Sequence, residues 1–160
     1  RLRDLYGVDA QFVQGDVTDL PLPDDRFDIA SSEAAFQMVE NLDRALAEAR
    51  RILRDGGVFV LSVPHALNEA LDPETATVEG DYLDSGPRRI TIDDEYDADM
   101  VAFDRPVSDL HNALVDAGFD VRRMVEHQQY EVERTDPEES DQPAVLWRVP
   151  QSVRFWAVAT

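Results

Sequence analysis

At 160 residues, 43% of them hydrophobic, the chain fits one globular domain able to bury a sizeable core. Thirty-four acidic residues stand against fifteen arginines and no lysine, a formal net charge of −19 that repels phosphate backbones and excludes nucleic acid as an expected partner. The absence of cysteine removes disulfides, thiolate metal sites and cysteine nucleophiles, and with three histidines (His65, His111, His127) no metal centre is expected.

No apolar run reaches membrane-spanning length and the first residues lack a signal-peptide pattern, so the expectation is a cytoplasmic protein with no membrane partner. Gain of acid and loss of lysine occur together, which favours a halophile over an acidic mesophilic protein from a GC-rich genome. Concentrated salt screens charges over a few ångströms and makes such self-repulsion tolerable.

Arg1–Tyr6 reads as the last turns of a helix closed by Gly7, and Ala10–Gln14 as a short strand ending at Gly15-Asp16. Thr18–Arg26, with Pro21 and Pro23 among acids, is a loop, and Phe27–Ser31 is a second strand. Asn41 is the N-cap candidate of a helix over Leu42–Leu53. Its Leu42, Ala45, Leu46, Ala49 and Leu53 recur on one face, and Arg50, Arg51 and Arg54 complement its C-terminal dipole. Gly56-Gly57 is expected to stop that helix before an apolar strand at Val58–Val63.

The stretch from His65 to Arg105 is acidic, broken by Pro73 and Pro87, and has one brief strand-like run at Arg89–Ile92, so it reads as a lid-like insert. A helix near Val107–Ala117, a strand at Phe119–Val125, an acidic loop at Thr135–Gln142 and a last strand at Val153–Val158 complete the chain. Alternating strands and helices predict an α/β domain of three layers, in which ligands bind beyond the carboxyl ends of the strands. Asp16, Ser31, Ser32, Pro64 and His65 fall along that rim.

Asp16 supplies an acceptor-only carboxylate suited to an exocyclic amine, although the same residue caps a turn equally well. Ser31 and Ser32 offer hydroxyls at a strand end, or simply small side chains where a helix packs closely. Glu33 and Phe36 read either as ligand-facing groups or as a solvated acid and a core aromatic. His65 is the one rim histidine and the candidate general base.

The ordered set Gly15-Asp16-Val17-Thr18-Asp19-Leu20-Pro21, Phe27-Asp28-Ile29 and Leu53-Arg54-Asp55-Gly56-Gly57-Val58-Phe59-Val60 resembles the middle and end of a class I S-adenosylmethionine (SAM)-dependent methyltransferase domain. Tyr82–Arg89 and Arg105–Phe119 look like the small-molecule methyltransferases of that class, and Trp147–Ala157 looks like their closing strand. The resemblance implies a Rossmann-like three-layer sandwich with a mostly parallel sheet and an antiparallel C-terminal strand. It also implies that residues 1–160 are a partial domain, lacking the first one or two strands, of haloarchaeal origin.

On this resemblance SAM is the cofactor, Asp16 takes the adenine amine, and Val17 lends its backbone N–H and side chain to the ring. Ser31 and Ser32 lie near the methionine end, and residues 65–105 cover a small-molecule acceptor, with Tyr82 and Arg88 facing it. The strands at Ala10 and Phe27 would not be neighbours. The alternative within the family is a domain that no longer catalyses and serves as a binding subunit. Asp16-Val17-Thr18-Asp19 also resembles nicotinamide-dependent short-chain reductases, but those pair a tyrosine with a lysine, and no lysine occurs here.

Overall fold

The Asn41 side chain accepts a hydrogen bond from the Arg44 N–H at 3.1 Å, so the predicted cap starts the first helix. The computed structural model describes residues 7, 10–72, 74–75, 77–84, 86–91, 99–128 and 148–160. The predicted helix end at Arg1–Tyr6, the acidic loop at Thr135–Gln142, and Ile92 and Trp147 lie outside the described residues. In chain order the elements are β1 (Phe27–Glu33), a 3-10 turn (Phe36–Met38), α1 (Leu42–Ile52), β2 (Leu53–Pro64), α2 (Ala66–Glu69), β3 (Leu71–Asp72) and β4 (Thr77–Val78). They continue with β5 (Pro87–Thr91), β6 (Asp99–Phe103), α3 (Val107–Asp116), β7 (Phe119–His127) and β8 (Ser152–Ala159).

Four strands form the main sheet in the order β1-β2-β8-β7. β1 and β2 are parallel, and β8 runs against both β2 and β7, so three strands point one way and β8 the other. That is the α/β, Rossmann-like sheet with an antiparallel closing strand expected from the sequence. β8 shows why the alternation was readable. Val153, Phe155, Ala157 and Ala159 are buried on one face, while Ser152, Arg154, Trp156 and Val158 lie half-buried on the other.

The buried face of β8 meets Phe59, Leu61 and Val63 of β2, Leu46 of α1, and Leu110 and Leu114 of α3 in one cluster. Leu46 is fully buried, worth about 1.5–3 kcal/mol relative to exposure. Rings of Phe36, Phe59 and Phe119 pack through this core in tilted contacts, with centroids 5.8 and 5.5 Å apart. Because α1 and α3 share that cluster, both lie on one face of the sheet. Two of the three expected layers are therefore seen among the described residues.

Two local expectations are corrected. Residues 10–14 form no strand: they pair with nothing among the described residues, and Phe12 and Val13 stand 76% and 58% exposed. Strand propensity without a ladder partner leaves backbone in water. β1 is accordingly an edge of the described sheet, hydrogen-bonded to β2 alone. The glycine pair, meanwhile, does not stop the helix, because α1 ends at Ile52 with Leu53 already extended. Between Phe27↔Leu53 and Ile29↔Val58 the register jumps, and Gly56, with φ +78°, sits in that irregularity. A Cβ on Gly57 would lie 2.8 Å from the Arg54 carbonyl and 3.3 Å from that of Asp28, so glycine is what lets β2 close on β1 there.

Among the described residues, none of those from 65 to 105 joins the main sheet. They form the short α2 and two separate hairpins, β3-β4 and β5-β6. The strand-like run expected at Arg89 begins earlier, at Pro87.

Candidate functional site

α1 leaves the sheet at the carboxyl end of β1 and returns to the start of β2, so its first turn marks the rim. Arg44 in that turn donates from Nε to the Thr18 carbonyl at 2.8 Å, which fixes the Asp16–Asp19 turn at the rim end. The turn is closed by the Asp19 N–H on the Asp16 carbonyl at 3.0 Å. Asp16 Oδ1 accepts from both the N–H and the hydroxyl of Thr18 at 2.8 Å. These bonds hold its carboxyl below the ordinary value, so it is an anion at neutral pH. Among the described residues every hydrogen bond to this exposed carboxylate falls on Oδ1. One oxygen therefore caps the turn, and the other accepts no hydrogen bond among the described residues.

Val17 lies half-buried and packs against the core. Ser31 and Ser32 occupy β1 opposite Val60 and Leu61. As successive strand residues they point to opposite faces: Ser32 lies half-buried on the helix side with Ala30, and Ser31 is exposed on the other with Ile29 and Glu33. Phe36 is a core aromatic. Glu33 forms an ion pair with Arg154 at 2.9 Å.

His65 follows β2 at the rim and is 3% exposed. Its Nδ1 accepts from the Leu67 N–H at 3.1 Å, capping α2, and its Nε2 faces Glu126 Oε1 at 2.8 Å. Nε2 carries the proton in that arrangement, so neither ring nitrogen offers a lone pair to a substrate. The ring lies parallel to Tyr82, with centroids 6.4 Å apart. The Tyr82 hydroxyl accepts from the Val107 N–H, the first donor of α3, at 3.3 Å. Tyr82 thus ties the insert to both of its own ends.

Arg88 lines a cavity of about 150 Å³ within the insert, together with Glu69, Asp81, Asp84 and Asp104. It holds Glu69 Oε2 at 2.5 Å and is forked onto Asp104. That cavity is not lined by Asp16, Val17, Ser31, Ser32 or His65. Among the described residues no group of three His, Asp or Glu converges as a metal site would require.

Sequence reading missed three residues that shape this rim. Arg105 donates to the carbonyls of Val39 at 2.6 Å and Glu40 at 3.0 Å, fastening the far end of the insert to the turn after β1. Glu126 orients His65 from 61 residues away. Glu48 accepts from the Leu20 N–H at 2.7 Å. Each partner is distant in sequence, and no local pattern announces it.

Residues 2–61 match the methyltransferase domain family. Over 48 residues, 30% of this chain, the sequence is 48% identical to a malonyl-[acyl-carrier protein] O-methyltransferase of Geobacter sulfurreducens, a match to 18% of that protein. Over 114 residues, 69% of this chain, it is 28% identical to a ubiquinone/menaquinone biosynthesis C-methyltransferase of Pseudomonas putida, a match to 44% of that protein. The chain thus spans less than half the length of these curated relatives. In fold it is similar to a SAM-dependent methyltransferase of Mesorhizobium loti, with a TM-score of 0.66 and 24% identity over 97% of this chain and 73% of that one. The sheet order with its reversed closing strand and these likenesses agree: residues 2–61 match the methyltransferase domain family, and the chain has the fold of SAM-dependent methyltransferases.

Proposed function

We propose that this chain is the acceptor-side part of an enzyme that transfers a methyl group from SAM to a small molecule in the cytoplasm. The observation that carries the reading is the Asp16 turn, which presents an ionised carboxylate with one open oxygen at the carboxyl end of a parallel strand pair. The Asp16 carboxylate fits an adenine amino group at that corner, an acceptor-only oxygen for an exocyclic N–H. When bound, SAM supplies an electrophilic methyl on a sulfonium, whose transfer asks mainly for alignment.

The residues divide the remaining work. Asp16 and the Val17 backbone hold the base, while Ser31 and Ser32 place one hydroxyl on each side of β1, at the strand end where the cofactor's other terminus would reach. His65, with both nitrogens committed, keeps the start of the insert in register with β7 and acts as a positioning residue; serving as base would require Nε2 first to give up its proton to Glu126. Residues 65–105, tied at Tyr82 and Arg105, form the cover over the acceptor. The relatives named above act on oxygen and on carbon, so the acceptor atom is not carried over from them. In the full-length protein, calorimetry should show SAM binding weakened by about 1–3 kcal/mol in Asp16→Ala, the loss of one charge-assisted hydrogen bond. Unchanged affinity removes Asp16 from the site.

A further inference from the structure

The Asp16 turn belongs to a segment with little structure of its own. Residues 18–26 contain two prolines and no helix or strand, and they are held almost entirely by one side of α1. The contacts run in order from the rim to the base of the helix. Arg44 donates to the Thr18 carbonyl at 2.8 Å, and Glu48 Oε2 accepts from the Leu20 N–H at 2.7 Å. Arg51 donates to the carbonyls of Leu20 at 2.9 Å and Leu22 at 2.8 Å, and pairs with Asp24 at 2.5 Å. At the end of α1, the Asp25 and Arg26 N–H groups each reach a helix carbonyl at 2.9 Å.

Three features separate this set from ordinary surface ion pairs. Arg44, Glu48 and Arg51 lie at i, i+4 and i+7, one stripe of the helix, and that stripe is the one not facing the core. Their partners are mainly backbone atoms, so they fix a chain path rather than neutralise charge. Glu48 and Arg51 also bind each other through two bonds, at 2.8 and 2.7 Å, so each preorganises the other for its loop partner. Arg50, on the same helix, makes comparable bonds, but to Leu53 and Thr160 at the far end of the sheet.

We infer that Arg44, Glu48 and Arg51 are positioning residues for cofactor binding: they form a clamp that holds the Asp16 turn in its binding geometry without touching the ligand. The inference rests on the reading of the Asp16–Asp19 turn as the cofactor-binding element. Without the clamp, an irregular segment of this length would have to be ordered each time a ligand bound, and the affinity would fall by that cost.

The test measures two quantities in the full-length protein, the dissociation constant for SAM by calorimetry and the melting temperature. Arg44→Ala, an exposed change that leaves folding intact, and Glu48→Ala should each weaken SAM binding by about tenfold, the weight of a lost charge-assisted bond plus the freed loop. Glu48→Gln, which keeps an acceptor for the Leu20 N–H, should recover most of that loss. Arg50→Ala should lower the melting temperature and leave SAM affinity unchanged. Unchanged affinity in both Arg44→Ala and Glu48→Ala overturns the clamp, as does an equal loss in Arg50→Ala, which would reduce the effect to general destabilisation. Weakened binding in the clamp variants together with normal binding in Asp16→Ala keeps the clamp and discards only the Asp16 contact.

Discussion

The backbone of Gly15 lies against the ring of Pro21: a Cβ on residue 15 would stand 2.5 Å from Pro21 Cδ and 3.1 Å from Cγ. The two ends of the Gly15–Pro21 stretch therefore close on each other, with the Asp16 turn as the loop between them. Gly15→Ala forces the proline ring and the turn apart. The expected outcome is a loss of about 1–3 kcal/mol in unfolding free energy, as for overpacking elsewhere, together with weakened SAM binding. Chemical denaturation and calorimetry on the same variant check both.

Glu48 has its carboxyl pulled from the usual 4.5 to about 2, first by its hydrogen bond to Arg51. A carboxyl depressed in the folded state favours folding above its unfolded value and loses that contribution as pH falls through the folded one. Stability should therefore decline between pH 4.5 and about 2, and Glu48→Gln should flatten that part of the curve. Urea midpoints measured across this range for both proteins decide the matter. Parallel curves would mean that Glu48 is no better paired in the folded chain than in the unfolded one.

Tyr82→Phe removes the acceptor for the Val107 N–H but keeps the ring against His65, whereas Tyr82→Ala removes both. Hydrogen exchange should quicken in residues 77–91 and 99–105 for the alanine variant, modestly for phenylalanine, with β2 unchanged in each. A protected β2 beside a loosened insert is the behaviour of a cover that opens independently of the sheet.

Asn41→Ala deletes the cap on the Arg44 N–H and should cost about 1 kcal/mol, with Asn41→Asp close to neutral or slightly favourable. Because Arg44 also holds Thr18, the alanine change should weaken SAM binding slightly more than its stability cost alone implies.

Added salt should raise the melting temperature. Individual pairs such as Arg51–Asp24 weaken under screening, but an excess of 19 negative charges repels over longer distances than any one pair attracts. Between about 0.1 M and about 1 M KCl the Debye length falls from about 10 to about 3 Å, and scanning calorimetry across that range should show a continuous rise. A flat or falling response would make the acidity incidental to salt tolerance.

The elements that could be read from the sequence are those whose causes are local. α1 declares itself through Asn41 and the spacing of Leu42, Ala45, Leu46 and Ala49, all of which are buried, and β8 through strict alternation. Phe12 and Val13 carry the same β-propensity as Phe27 and Ile29, but only the second pair has β2 beside it, and propensity says nothing of neighbours. The residue type at position 65 was legible; that Leu67 and Glu126 would occupy both nitrogens was not. The same holds for Glu48, whose partner is 28 residues upstream. Chemistry carried by one residue can be proposed from its letter, whereas chemistry set by two distant ones waits for the fold.

The place of β8 between β2 and β7 bears on how the domain is made. β2 and β7 share no hydrogen bonds, and each has β8 as its inner neighbour. Until residues 152–159 have left the ribosome, both strands present unpaired edges to whatever else is in the cell, and β2 an apolar one. A nascent chain paused before Ser152 is therefore a natural client for chaperones, and an acidic, lysine-free surface keeps such intermediates apart by repulsion while they wait.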